Sequence, residues 1–172
     1  MSFLKRLLRP RGDDLAAYRP LWFRVVEVSR DPRWYREGGV ADTVGGRFDA
    51  ITLVLCAVLL RMESEADMAE APARLTEMFV NDMDGQLRET GVGDVVVGKH
   101  MGKLMSALGG RLGAYREALA ASDNDALGAA IARNVTLRDG AETQAAAGLF
   151  RQLVASLAAP DSAALLAGEI VL

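Results

Sequence analysis

Residues 73–120 read ARLTEMFVNDMDGQLRETGVGDVVVGKHMGKLMSALGGRLGAYREALA, and their apolar spacing settles the fold class. Leu75, Phe79, Met83 and Leu87 recur every fourth residue with Met78 on the flank, which is one face of an α-helix. This pattern predicts a helix from Ala73 to Thr90, closed by Gly91 as its C′ glycine. Asp94 then caps a second helix that runs to about Ala120. Its stripe is Val97, Met101, Leu104, Leu108, Leu112, Tyr115 and Leu119.

The same reading extends in both directions. DDLAAYRPLWFRVVEVSRD, from Asp13, predicts a first helix that Asp13 or Asp14 can cap and that Pro20 kinks or restarts. PRWYREGGVADTVGGRFD predicts a long loop pinned by Trp34, Tyr35, Val40 and Phe48. Asp49 is the expected N-cap of a helix from Ala50 to about Met62, and ESEADMAEAP is a polar, partly helical connection. Further helices are expected at about Asp125–Asn134 and Glu142–Ala158, with a short segment at Ser162–Gly168. The sum is all-α: a single-domain bundle of about six helices over residues 13–172, with one long pinned loop between the first two. Residues 1–12 form a basic amphipathic segment.

Composition agrees with a helical protein that has a sizeable core. Hydrophobic residues are 51% of the chain and aromatics only 6%. The longest apolar run, Ala50 to Leu60, is too short for a membrane span, which needs about 20 residues. The single cysteine, Cys56, lies inside that run, so an internal disulfide is excluded and a buried thiol is expected. Net charge is -3, but residues 1–36 carry nine Lys/Arg against four Asp/Glu, and the remainder carries eleven against nineteen. Lys5, Arg6, Arg9 and Arg11 stand among Phe3, Leu4, Leu7 and Leu8, which suits an anionic membrane surface or RNA. A frayed, solvated terminus is the plain alternative. No secretory signal is visible, so a cytoplasmic location is expected, with peripheral contact at the inner membrane.

Tests for chemistry return little. An EF-hand loop begun at Asp82 places Leu87 where glycine is needed and Gly93 where the bidentate glutamate is needed. His100 is the only histidine and has no cysteine partner at metal-ligand spacing, so no metal is expected. Nucleotide-binding and nucleophile-elbow motifs do not occur. No catalytic residues and no cofactor are expected, and DNA is not an expected partner. A hydrolase using Asp82 and Glu89 is the weakest reading.

Charges on the helix of residues 73–90 divide by direction. With Phe79 at 0°, Asp84 falls near 140° and Arg88 near 180°, an outward acid-to-base pair at about 100° per residue. Asp82, Gln86 and Glu89 fall at about -60°, -20° and -80°, toward the core or its rim. A buried carboxylate demands a partner, and Arg111 and Arg47 are the candidates. The expected polar network comprises Arg47, Asp49, Asp82, Asp94, Arg111 and Tyr115. Asp82, Asp84, Arg88 and Glu89 are equally a candidate client-binding cluster. On the following helix, Gly98, Gly102, Gly109 and Gly113 fall between about 80° and 140° from Leu108. They fit either close packing on a neighbouring helix or a docking groove for a partner helix. Both readings require that Gly109 and Gly110 leave the helix unbroken.

The motifs taken together resemble the ubiquinol–cytochrome c chaperone family. They are Arg30-Asp31-Pro32 with Trp34-Tyr35, Gly39-Val40, Asp42-Thr43, Gly46-Arg47-Phe48-Asp49, Asp82, Asp84, Leu87-Arg88-Glu89, Gly91-Val92-Gly93-Asp94, and Gly110-Arg111 with Tyr115. The likeness covers about residues 18–122. It implies a non-enzymatic assembly chaperone that binds nascent or newly inserted cytochrome b and promotes its entry into the bc1 complex. It also implies contact with the ribosome near the exit tunnel. Family members often carry histidine in the helix after Arg-Phe-Asp, where this chain has Cys56, which weakens a haem-handling role. The missing long targeting sequence points to a bacterial relative. The runner-up is an interaction module recruited to membrane or ribosome by its basic end.

Overall fold

The computed structural model describes residues 15–89 and 94–172, without the side chains of residues 87–89 and 94–101. The described residues form helices, turns and loops, with one isolated antiparallel bridge between Val40 and Leu137. Helix α1 is Arg19–Ser29. Pro20 sits in its first turn, where a missing N–H costs nothing, so the proline starts the helix and does not kink it. Its inner face buries Leu21, Trp22, Val25 and Val28.

The expected long loop is shorter and better organised. Asp31 accepts a hydrogen bond from the Arg33 backbone N–H at 2.8 Å and so caps a short helix α2, Pro32–Arg36. Trp34 is fully buried and its indole N–H donates to Val28 O at 2.9 Å. Tyr35 Oη donates to Ser29 O at 3.0 Å, Val40 is buried, and Phe48 packs partly buried against the core. All four expected anchors therefore hold the segment. Gly39 takes φ 72°, the left-handed region that favours glycine.

Helix α3 runs Val44–Glu63, starting at Val44 and not at Ala50. The cap is Thr43, whose hydroxyl accepts from Gly46 N–H at 3.1 Å. Asp49 is thus interior to the helix, and the expectation that it caps is corrected: its carboxylate is drawn into an ionic contact described below. Gly46 is required here because a Cβ would stand 1.9 Å from Ala41 O, where the loop folds back over the helix start. Helix α3 is the central element and is buried on nearly all sides, through Leu53, Leu55, Cys56 and Val58 among others.

A 3₁₀ turn at Ala66–Met68 leads to α4, Ala71–Glu89, and then α5, Asp94–Leu119. Leu75, Phe79 and Met83 of α4 are buried, and Trp22 of α1 meets Phe79 edge-on at 6.1 Å between ring centres. Gly109 and Gly110 lie inside an unbroken helix. The proposed turn at Gly91 falls outside the described residues. The chain continues through α6, Asp125–Asn134, α7, Thr143–Ser156, and α8, Ser162–Leu166. Helices α5, α6 and α7 pack in succession, and α3 touches both α5 and α7. The tail returns to α1: Ile170 is buried, Arg24 donates to Ile170 O at 2.9 and 2.6 Å, and Arg33 donates to Leu172 O at 2.7 Å. No helix among the described residues is long and apolar enough to cross a membrane.

Candidate functional site

Two features stand out around α3, α4 and α5: a buried ionic contact and an open apolar groove. The contact joins Asp49 of α3 to Arg111 of α5 at 2.6 Å, with side chains only 8% and 14% exposed. Arg111 also donates to Thr52 Oγ1 and lies 5.6 Å over the Phe48 ring. The second carboxylate oxygen of Asp49 accepts from the Thr136 backbone N–H at 2.8 Å and from its hydroxyl at 2.7 Å. Both carboxylate oxygens of Asp49 are hydrogen-bonded, which is what lets a charge stay inside a core. One carboxylate thereby clamps α3 to α5 and to the segment after α6.

The expected polar network is partly assembled by this contact. Asp49 and Arg111 belong to it. Arg47 does not: it pairs with Asp42 at 2.7 Å at the surface, and that hydrogen bond holds the Asp42 carboxyl below its ordinary pKa range. Arg111 is occupied by Asp49 and Thr52, so it is not the partner sought for Asp82. Asp82 and Asp84 are both half-buried, and Gln86 is exposed, contrary to its angular position. Helical geometry fixes where a side chain points but not what covers it. The side chains of Arg88, Glu89, Asp94, Gly98 and His100 lie outside the described residues, as do Lys5, Arg6, Arg9 and Arg11. Thr52 and Thr136 were missed in the sequence. The first lies one turn beyond Asp49, a signal that was available, and the second has no local signal.

Tyr115 is fully buried against Phe150, with ring centres 5.1 Å apart, and its hydroxyl has no hydrogen-bond partner among the described residues. Burial raises its pKa well above the ordinary phenol value. Cys56 is buried too, and loss of hydration pushes its thiol up to about 12. It is a core thiol with no thiolate character at neutral pH. Among the described residues no cluster of His, Cys, Asp or Glu could hold a metal ion.

The groove has a volume of about 510 Å³ and lies between the end of α3, the start of α4 and the outer side of α5. Leu59, Pro72, Val80, Met105 and Leu112 form its apolar lining, and Glu63 and Glu77 stand at it. Met105 is 43% exposed, and it stands beside the other apolar residues of the groove. Relative to Leu108, Leu112 and Met105 fall at about 40° and 60°, directly before the glycine stripe. At Gly102, Gly109 and Gly113 an added Cβ would meet nothing within 4 Å among the described residues. Among the described residues, then, no neighbouring helix of the bundle packs against these three glycines. Glycine and groove together make a shallow, smooth, apolar strip along one side of α5.

Comparison with known proteins agrees with this architecture. No curated protein matches the sequence. The crystal structure of the Cbp3 homolog from Brucella abortus is similar, with 33% identity and a TM-score of 0.75, over 98% of this chain and 95% of that one. Residues 36–172 match the family model described as ubiquinol–cytochrome C chaperone, a span that contains the Asp49–Arg111 clamp, the groove and the glycines. The chain belongs to the ubiquinol–cytochrome c chaperone family.

Proposed function

We propose that the chain is a non-enzymatic assembly chaperone that binds newly made cytochrome b and holds it until it enters the ubiquinol–cytochrome c reductase (bc1) complex. The observation that carries the general role is family membership across residues 36–172. The client-binding surface proposed is the groove at Leu59, Val80, Met105 and Leu112, continued by Gly102, Gly109 and Gly113. An apolar transmembrane segment of the client fits such a strip, since small residues let a helix backbone come close. Asp82, Asp84, Arg88 and Glu89 lie on the same helix as one wall of the groove and complete the proposed client-binding set. The clamp of Asp49 and Arg111 holds α3 and α5, the other two walls, in register. The chain acts on the cytoplasmic side of the inner membrane, and Lys5, Arg6, Arg9 and Arg11 bring it to that membrane and to the ribosome near the exit tunnel.

A photo-crosslinking residue at Met105 tests the client and the surface together. The expected product is an adduct with cytochrome b in cells synthesising it, and none from the same residue placed at Val44, which is 89% exposed elsewhere on the molecule. Deletion of the gene should lower cytochrome b absorbance and bc1 content while soluble metabolism stays normal. Unchanged cytochrome b spectra in the deletion strain would overturn the function.

A further inference from the structure

The exposed large apolar side chains among the described residues are Phe23, Val44, Met105 and Val171. Met105 belongs to the groove. Phe23 and Val171 share a different flank, made by α1 and the returning tail. Phe23 is 65% exposed on the outer face of α1, with Arg19 and Arg30 at about -40° and -20° around the same axis, one turn before and two turns after it. Both arginines are exposed. Val171 is 71% exposed and lines a surface depression with Arg24, Glu27 and Arg30.

The acids of this flank are largely matched from within. Glu27 pairs with Arg24 at 2.7 Å and Asp31 with Arg33 at 2.9 Å, leaving Glu37 and Glu169 at the surface against Arg19, Arg30 and Arg36. Beyond residue 36 the chain carries eleven basic and nineteen acidic residues, so an anionic surface repels the remainder and attracts this end. The chain also enters α1 from the segment that holds Lys5, Arg6, Arg9 and Arg11. Apolar side chains standing among arginines suit a lipid interface better than RNA, because the rings and methyls gain by leaving water while the guanidinium groups stay with phosphate.

We propose that the α1–tail flank is the membrane-facing surface of the protein, with Arg19 and Arg30 on anionic lipid headgroups and Phe23 and Val171 entering the interface. This deepens the peripheral membrane placement proposed above. The geometry also sets an orientation, since the groove on α4 and α5 is a separate surface left free for a client.

Co-sedimentation of the full chain with vesicles tests the proposal and uses no cytochrome b, so its failure leaves the client assignment standing. The unaltered chain should partition onto phosphatidylcholine vesicles containing phosphatidylglycerol and far less onto phosphatidylcholine alone. R19Q/R30Q should lower that partition on the order of tenfold, and F23S/V171S several-fold on the order expected for lost apolar insertion. V44S, an equally exposed apolar position on another face, should leave it unchanged. All these positions are solvent-exposed, so melting temperatures should match the unaltered chain. Equal binding to both vesicle types overturns the proposal. So does full binding by F23S/V171S and R19Q/R30Q, an equal loss in V44S, or binding to ribosomal RNA without binding to the anionic vesicles.

Discussion

Replacing Gly102, Gly109 and Gly113 together by alanine separates stability from client binding. A glycine in a helix interior is about 1 kcal/mol less favourable than alanine. That gain is normally cancelled where the new methyl meets a neighbour, but here a Cβ at each position meets nothing within 4 Å. At about 1.5 Å of rise per residue the three sites are spaced by roughly 6 and 10 Å, so their effects should nearly add. The triple variant should therefore gain about 2–3 kcal/mol. For a chain of this size each kcal/mol moves the midpoint by about 2–4 °C, giving a rise on the order of 4–12 °C in thermal melts followed by far-ultraviolet circular dichroism. Capture of cytochrome b should fall at the same time, because three methyl groups raise the floor on which a client backbone would rest. A lowered melting midpoint would show that the face is packed and the open-surface reading wrong. A raised midpoint with undiminished capture would remove the glycines from the binding surface.

Further substitutions probe the clamp, the start of α3 and the core. Asp49→Ala or Arg111→Ala leaves its partner buried and unpaired, so each should cost about 3–5 kcal/mol in urea unfolding. The double variant should cost less than the sum, and single effects below about 1 kcal/mol would contradict the clamp. Gly46→Ala forces a Cβ to within 1.9 Å of Ala41 O and should cost more than about 2 kcal/mol, whereas Gly45→Ala, whose Cβ finds only Thr136 Oγ1 at 3.8 Å and Thr43 Oγ1 at 3.9 Å, should be tolerated. Equal melting midpoints for the two would refute that geometry. Tyr115→Phe removes a buried hydroxyl that has no partner and should be neutral or stabilising by about 1 kcal/mol, and a clear loss would reveal a bond to that oxygen.

The helices were legible in the sequence because their information is local. Leu75, Phe79 and Met83 repeat with the helical period, and the bundle buries them. The start of α3 was misplaced because two glycines and an aspartate imitate a loop and a cap. Thr43 caps earlier, and the glycines are tolerated there because the loop crosses too close for a side chain at Gly46. The ionic clamp was legible in its members but not in its pairing. Arg111 chose Asp49, 62 residues away, over the nearer acids of α4, and only the packing of α5 on α3 decides that. The groove was invisible for the same reason. Leu112 read as a member of the α5 stripe and Met105 carried no reading, and their meeting at the groove depends on how α4 packs on α5, which no local spacing encodes.

The tail of the chain has a consequence for its own synthesis. Arg24 reaches Ile170, 146 residues further on, so part of the cover of α1 comes from residues that emerge long after it. At roughly 5–20 residues per second, α1 waits on the order of ten seconds or more for that cover. Until then the Arg24 guanidinium lacks its Ile170 carbonyl and the flank around Val28 stays open. An assembly chaperone thus passes through an unfinished stage of its own, and this closure is a ring of long sequence separation, the slowest kind of contact to form.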